Sequence, residues 1–139
     1  MKQFLHFTIV LLFVMLLTGC NVQTVAPMAE ARQGVCQALN SLRSAAAGLT
    51  EIDRETSVAQ LQEMRRNVAR LVEAARAANT VLQNQQITEM VNAFKEFSRT
   101  VDGLTPDQRV GDAAVGLQTS ARQVVSALAQ AHQALQCAQ

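Results

Sequence analysis

The sequence predicts an all-α fold, an antiparallel up-down bundle of four helices. Three observations carry this. Beyond position 34 the apolar residues recur in alternating steps of three and four, which lays one stripe along a helix face. Alanine, the strongest helix former, is abundant. The stripes are also punctuated by residues that start and stop helices. Without the first twenty residues, about 120 remain, enough for one domain with a real core.

The first stripe is Val35, Leu39, Leu42, Ala46 and Leu49, with Gly48 as its stop. The second is Leu61, Met64, Val68, Leu71, Ala75, Ala78 and Leu82. It opens at Ser57, which with Gln60 reads as a capping box. The third is Ile87, Met90, Phe94, Phe97, Val101 and Leu104, with Gly103 as its stop. The fourth is Val110, Ala114, Leu117, Ala121, Val124, Leu128, Ala131 and Leu135. Its start is expected at Thr105 as cap, followed by Pro106, Asp107 and Gln108. The second and fourth stripes are longer than the others. A separate turn at Pro106 to Val110 with a bend at Gly111 is therefore the alternative start for the fourth. Between Leu82 and Ile87 the step is five, so Asn84-Gln85-Gln86 is either a turn capped by Asn84 or a kink in one long helix.

The chain opens with Lys2 and an apolar run from Phe4 to Leu17, broken only by His6 and Thr8. That run is short for a membrane span, which needs about 20 residues, and fits a signal peptide. It ends in Leu17-Thr18-Gly19-Cys20, which resembles the lipobox of bacterial lipoproteins. The resemblance covers residues 1–21. It implies a cleaved leader over 1–19 and a diacylglyceryl thioether, with acyl chains such as palmitate, on Cys20. Two chains or more give stable membrane anchoring. It also implies a place outside the cytoplasm. In a diderm host this is the periplasmic side of the outer membrane, since Asn21 is not the aspartate of inner-membrane retention. In a monoderm host it is the outer face of the cytoplasmic membrane. The terminal Gln136-Cys137-Ala138-Gln139 lacks the lysine of the murein-linked type. Residues 20–32 are expected to be the lipidated N-terminus and tether, and 33–139 the helical domain.

With Cys20 lipidated, an exported chain keeps two cysteines, Cys36 and Cys137, and a disulfide between them is expected. One cysteine opens the first helix and the other closes the last. In an up-down bundle those ends are neighbours only if the helix number is even, which selects the turn at Asn84 and four helices.

Composition narrows the function. Lys and Arg number twelve and Asp and Glu eleven, so there is no basic excess of the kind nucleic-acid binding requires. Beyond Cys20 the aromatics are Phe94 and Phe97, too few for a stacking platform. No Cys-x-x-Cys-His and no pair of Glu-x-x-His motifs is present for haem or di-iron. His132 is the single histidine beyond Cys20. It reads as a solvated or partly buried helix residue, not as a metal ligand or as the base for Ser120 or Ser126. The cluster Glu51, Asp53, Arg54, Glu55 reads as a charged inter-helix loop. Arg65, Arg66, Arg70 and Arg76 read as a solvated face partnered by Glu63 and Glu73. Alanine- and valine-rich faces around Ala74, Ala77, Val81, Val115 and Ala129 leave room for a homo-oligomer.

No catalytic residue, cofactor or metal is expected, and the chain is not expected to be an enzyme. The expectation is a non-enzymatic protein-interaction or structural module, held on the membrane through Cys20 and meeting an envelope protein. The alternative is a binding module for a lipid or small hydrophobic ligand between the helices. A core loosened near Gly111 and Gly116, beside Met64 and Met90, would suit it.

Overall fold

Local hydrogen bonding decides where each helix begins and ends. The computed structural model describes residues 25–107 and 109–138. These form four α-helices: α1 Val25–Ala46, α2 Val58–Leu82, α3 Gln85–Asp102 and α4 Ala114–Ala134. Short 3-10 turns, Ala47–Glu51 and Gly111–Ala113, follow α1 and precede α4. No β-strand occurs among the described residues.

α1 begins earlier than the sequence pattern indicates. It is helical from Val25, so the tether expected over residues 20–32 overlaps the helix. Pro27 sits in the first turn, where backbone N–H groups have no intrahelical acceptor, so its missing donor costs nothing. The apolar stripe starts only at Val35 because Pro27 to Glu30 are exposed. The helix ends at Ala46, and the chain tightens into the 3-10 turn across Gly48. A Cβ on Gly48 would lie 3.4 Å from the Met64 sulfur, an ordinary contact.

Ser57 caps α2 as its sequence indicates, its hydroxyl accepting from the Gln60 N–H at 3.2 Å. The join between α2 and α3 is a true turn. Gln83 takes the left-handed conformation (φ 51°) and donates its N–H to the Asn79 carbonyl at 2.7 Å. The Asn84 side chain accepts from the N–H groups of Gln86 and Ile87. Asn79 grips Asn84 twice, accepting from its N–H at 2.8 Å and donating to its carbonyl at 3.1 Å. Gly103 follows α3 with an ordinary φ of −77°, so it stops the helix without left-handed geometry.

The start of α4 corrects the first expectation. Thr105 and Pro106 do not open it, and Gln108 lies outside the described residues. The amides there bond elsewhere. Val110 N–H donates to the Thr56 carbonyl at 2.9 Å and Gly111 N–H to the Arg54 carbonyl at 3.0 Å. Ser57 and Arg109 form an isolated antiparallel bridge. Gly111 then turns with a positive φ of 53°, which favours glycine. Val110 is buried as its stripe position indicates, but through this loop pairing. The bend expected at Gly111 is present, and the turn that precedes α4 is Gly111–Ala113, whereas the expected turn over Pro106 to Val110 includes Gln108, outside the described residues.

All four stripes meet in one core. Leu39, Leu42, Leu49, Leu61, Ile87, Met90, Phe97 and Leu117 are fully buried. α1 packs mainly on α2, and α3 on α4, with α2–α3 and α1–α4 contacts joining the two pairs. The sulfurs of Cys36 and Cys137 lie at bonding distance, with Cα atoms 5.3 Å apart and a sequence separation of 101. Beside them, Arg32 Nε donates to the Leu135 carbonyl at 2.9 Å.

Candidate functional site

The α1–α4 seam is the sparsest of the four helix contacts, and its composition explains why. Where larger apolar side chains would interlock, it carries Ala46, Ala47 and Ala129. A cleft of about 350 Å³ opens there, lined also by Arg43, Thr50, Val125, Leu128, His132 and Gln133. Ala46 and Leu128 form a buried floor, while Arg43, Ala129 and Gln133 stand at the exposed rim.

Polar contacts clamp the seam on both sides of the cleft. Toward the disulfide, His132 Nε2 donates to Asn40 Oδ1 at 2.7 Å. This contact and helix packing leave His132 only 8% exposed, more buried than the sequence suggests. Toward the 3-10 turn, Gln118 Nε2 donates to the Ile52 carbonyl at 2.7 Å. The helices are therefore pinned above and below a hollow that no side chain fills. Sequence reasoning missed this cleft. The signal was Ala46 in the first stripe with Ala47 and Ala129 beside the first and fourth, but only the fold brings these stretches together.

The remaining candidates fall elsewhere. Cys20 and the lipobox lie outside the described residues. Cys36 and Cys137 come together as described. Ser120 donates to carbonyls of its own helix, at Gly116 and Leu117, and makes no contact with His132. Arg65 does not pair with Glu63. It reaches Asp102 on α3 at 3.2 Å and ties two helices together. Arg76 pairs with Glu73 at 2.7 Å, as its spacing indicates. Gly111 and Gly116 adjoin open space, and Met90 is buried in the core. The two clefts described here lie away from both glycines. The second, of about 220 Å³, sits between α2 and α3 beside Phe94 and Ser98.

The charged loop after α1 is a structural joint. Arg54 pairs with Asp112, and Arg109 with Glu55 at 3.2 Å. Asp53 organises the turn. The Thr56 hydroxyl, then the N–H groups of Thr56 and Glu55, donate to its carboxylate and hold its pKa below the usual carboxylate value. Among the described residues, no three His, Cys, Asp or Glu side chains converge as metal ligands. None of the described helices is long and apolar enough to cross a membrane. Comparison of the chain with protein-family models, with curated proteins and with solved structures gives no match.

Proposed function

We propose that the protein is a lipid-anchored lipoprotein of the cell envelope whose helical domain is a non-enzymatic protein-interaction or structural module. The observation that supports this is Leu17-Thr18-Gly19-Cys20 at the end of the apolar run from Phe4. A thiol is the group that forms the thioether to the lipid, and two acyl chains hold a domain stably where one does not. The site of residence is the outer membrane, facing the periplasm, in a diderm host and the outer face of the cytoplasmic membrane in a monoderm host.

We also read the four helices as an antiparallel up-down bundle. The joined cysteines and the ring of helix contacts support it. In that arrangement the start of α1, the α2–α3 turn and Cys137 share the end nearest the anchor. The ion-paired loops around Arg54 and Arg109 lie at the other end, turned toward an envelope partner. Five residues, Cys20 to Thr24, precede α1. They reach at most about 17 Å, so the partner is met close to the membrane.

The test is metabolic labelling with an alkyne fatty acid, followed by fractionation and in-cell crosslinking of wild type and Cys20→Ser. Label and membrane retention in wild type alone support the anchor, and an envelope protein crosslinked to wild type alone supports the interaction module. Equal labelling and membrane retention of Cys20→Ser overturn the anchor reading. A second reading, a module for a small hydrophobic ligand, is favoured by the α1–α4 cleft.

A further inference from the structure

We propose that the α1–α4 cleft binds a free single-chain fatty carboxylate, with its head group at Arg43 and its chain along Ala46, Val125 and Leu128. The inference deepens the small-ligand reading and does not depend on lipidation of Cys20.

Shape comes first. A volume of about 350 Å³ lies at the lower end of the range for small-molecule sites, roughly 300–1,000 Å³. The lining runs only from Arg43 to Thr50 on one side and from Val125 to Gln133 on the other, about two helical turns, so it admits something short. A second acyl chain would exceed the space, which separates a free fatty acid from a diacyl phospholipid. An extended protein segment would have to cross one of the two clamps.

Polarity is the second constraint. The floor is apolar, and an apolar chain laid on it removes Leu128, Ala46 and Val125 from water. Arg43 is the one arginine or lysine in the lining, and it makes no ion pair among the described residues. No carboxylate lines the cleft to compete for it. A guanidinium presents paired N–H donors that match a carboxylate. Thr50 and Gln133 add neutral hydrogen-bonding groups at the rim. His132 cannot swing into the space while Nε2 is held by Asn40. One cation at the edge of an apolar trough selects an anionic head on an apolar tail.

The experiment uses the full chain in nanodiscs of phosphatidylcholine, with a photoactivatable decanoate as probe and peptide mapping as readout. Labelling is expected on the segments around Arg43–Thr50 and Val125–Gln133, competed by decanoate and not by decylamine. Arg43→Gln should lower it roughly tenfold, the loss of a charge-assisted contact, and Arg43→Lys, which keeps the charge without the paired donors, should lose less than Arg43→Gln. Ala129→Phe should abolish it by filling the cleft. Both positions are exposed, so neither change touches the core. If Ala129→Phe does not fold, the Arg43→Gln and Arg43→Lys pair decides. Label spread evenly over the surface, or unchanged in Arg43→Gln, overturns the site. Equal labelling by a photoactivatable phosphatidylglycerol overturns the free carboxylate in favour of a phospholipid.

Discussion

Replacing both Cys36 and Cys137 by serine removes the covalent closure and little else. Each side chain is half-buried, and serine is close in size. The two positions lie 101 residues apart, so the crosslink denies the unfolded chain almost every open arrangement. For a loop of this length the chain-entropy relation gives about 4.7 kcal/mol. Domains of this size are stable by roughly 5–15 kcal/mol, so the loss takes a third or more of the total. At about 4 °C per kcal/mol, the melting temperature should fall by roughly 15–20 °C. Thermal and urea unfolding followed by far-ultraviolet circular dichroism measure this. The double variant should keep its helicity at low temperature, because the core lies in other residues. Its urea m-value should rise, because freeing the unfolded chain exposes more surface. A melting temperature lowered by less than about 4 °C, with m unchanged, refutes the reasoning.

Four further perturbations probe the turns and α4. Gly116 is exposed inside α4 with nothing within 4 Å of a new Cβ, so Gly116→Ala should stabilise by about 1 kcal/mol. Gly111 has open space too but a positive φ, so Gly111→Ala should destabilise by about 1 kcal/mol, and paired urea titrations show the opposite signs. Asn84→Ala removes the cap of α3 and should cost about 1–2 kcal/mol, with earlier hydrogen exchange at Gln86 and Ile87. Asp53 has a folded pKa below its unfolded one, so its contribution is full above the unfolded value, about 3.9, and is lost as pH falls through the folded value. The melting-temperature gap between wild type and Asp53→Asn should thus be largest near neutrality and close in acid. A gap that widens in acid contradicts the assignment.

The helices were legible because burial repeats with their period. Leu39, Leu61, Phe97 and Leu117 each sit where their stripe places them, fully buried. The local pattern left Asn84 open between a cap and a kink, and it became legible only through the two cysteines, which require an even number of helices. The start of α4 was harder to read. Thr105-Pro106-Asp107 has the residue types of a helix start, yet Val110 and Gly111 give their amides to Thr56 and Arg54, far away in sequence. A long-range pairing outweighed a local preference, and one-dimensional pattern does not register such pairings. Val72 shows a smaller version. It lies beside the chosen stripe but is more buried than Leu71, because α2 faces both α1 and α3. The cleft was illegible for a related reason. Alanine in a stripe reads as close packing, and only the facing helix decides whether it leaves a hollow.

Joining Cys36 to Cys137 also changes how the domain carries tension. A pull applied from outside the loop enters α1 before Cys36, passes through the sulfur bridge and leaves at Cys137. The hundred residues between the cysteines lie off that path. Stretched out at about 3.4 Å each they would add some 340 Å, and the bridge keeps that length in reserve. Such a pull can fray the first turns of α1 but cannot peel the helices apart in sequence. Only a load applied inside the loop, such as at the far joint of Arg54 and Asp112, reaches the core.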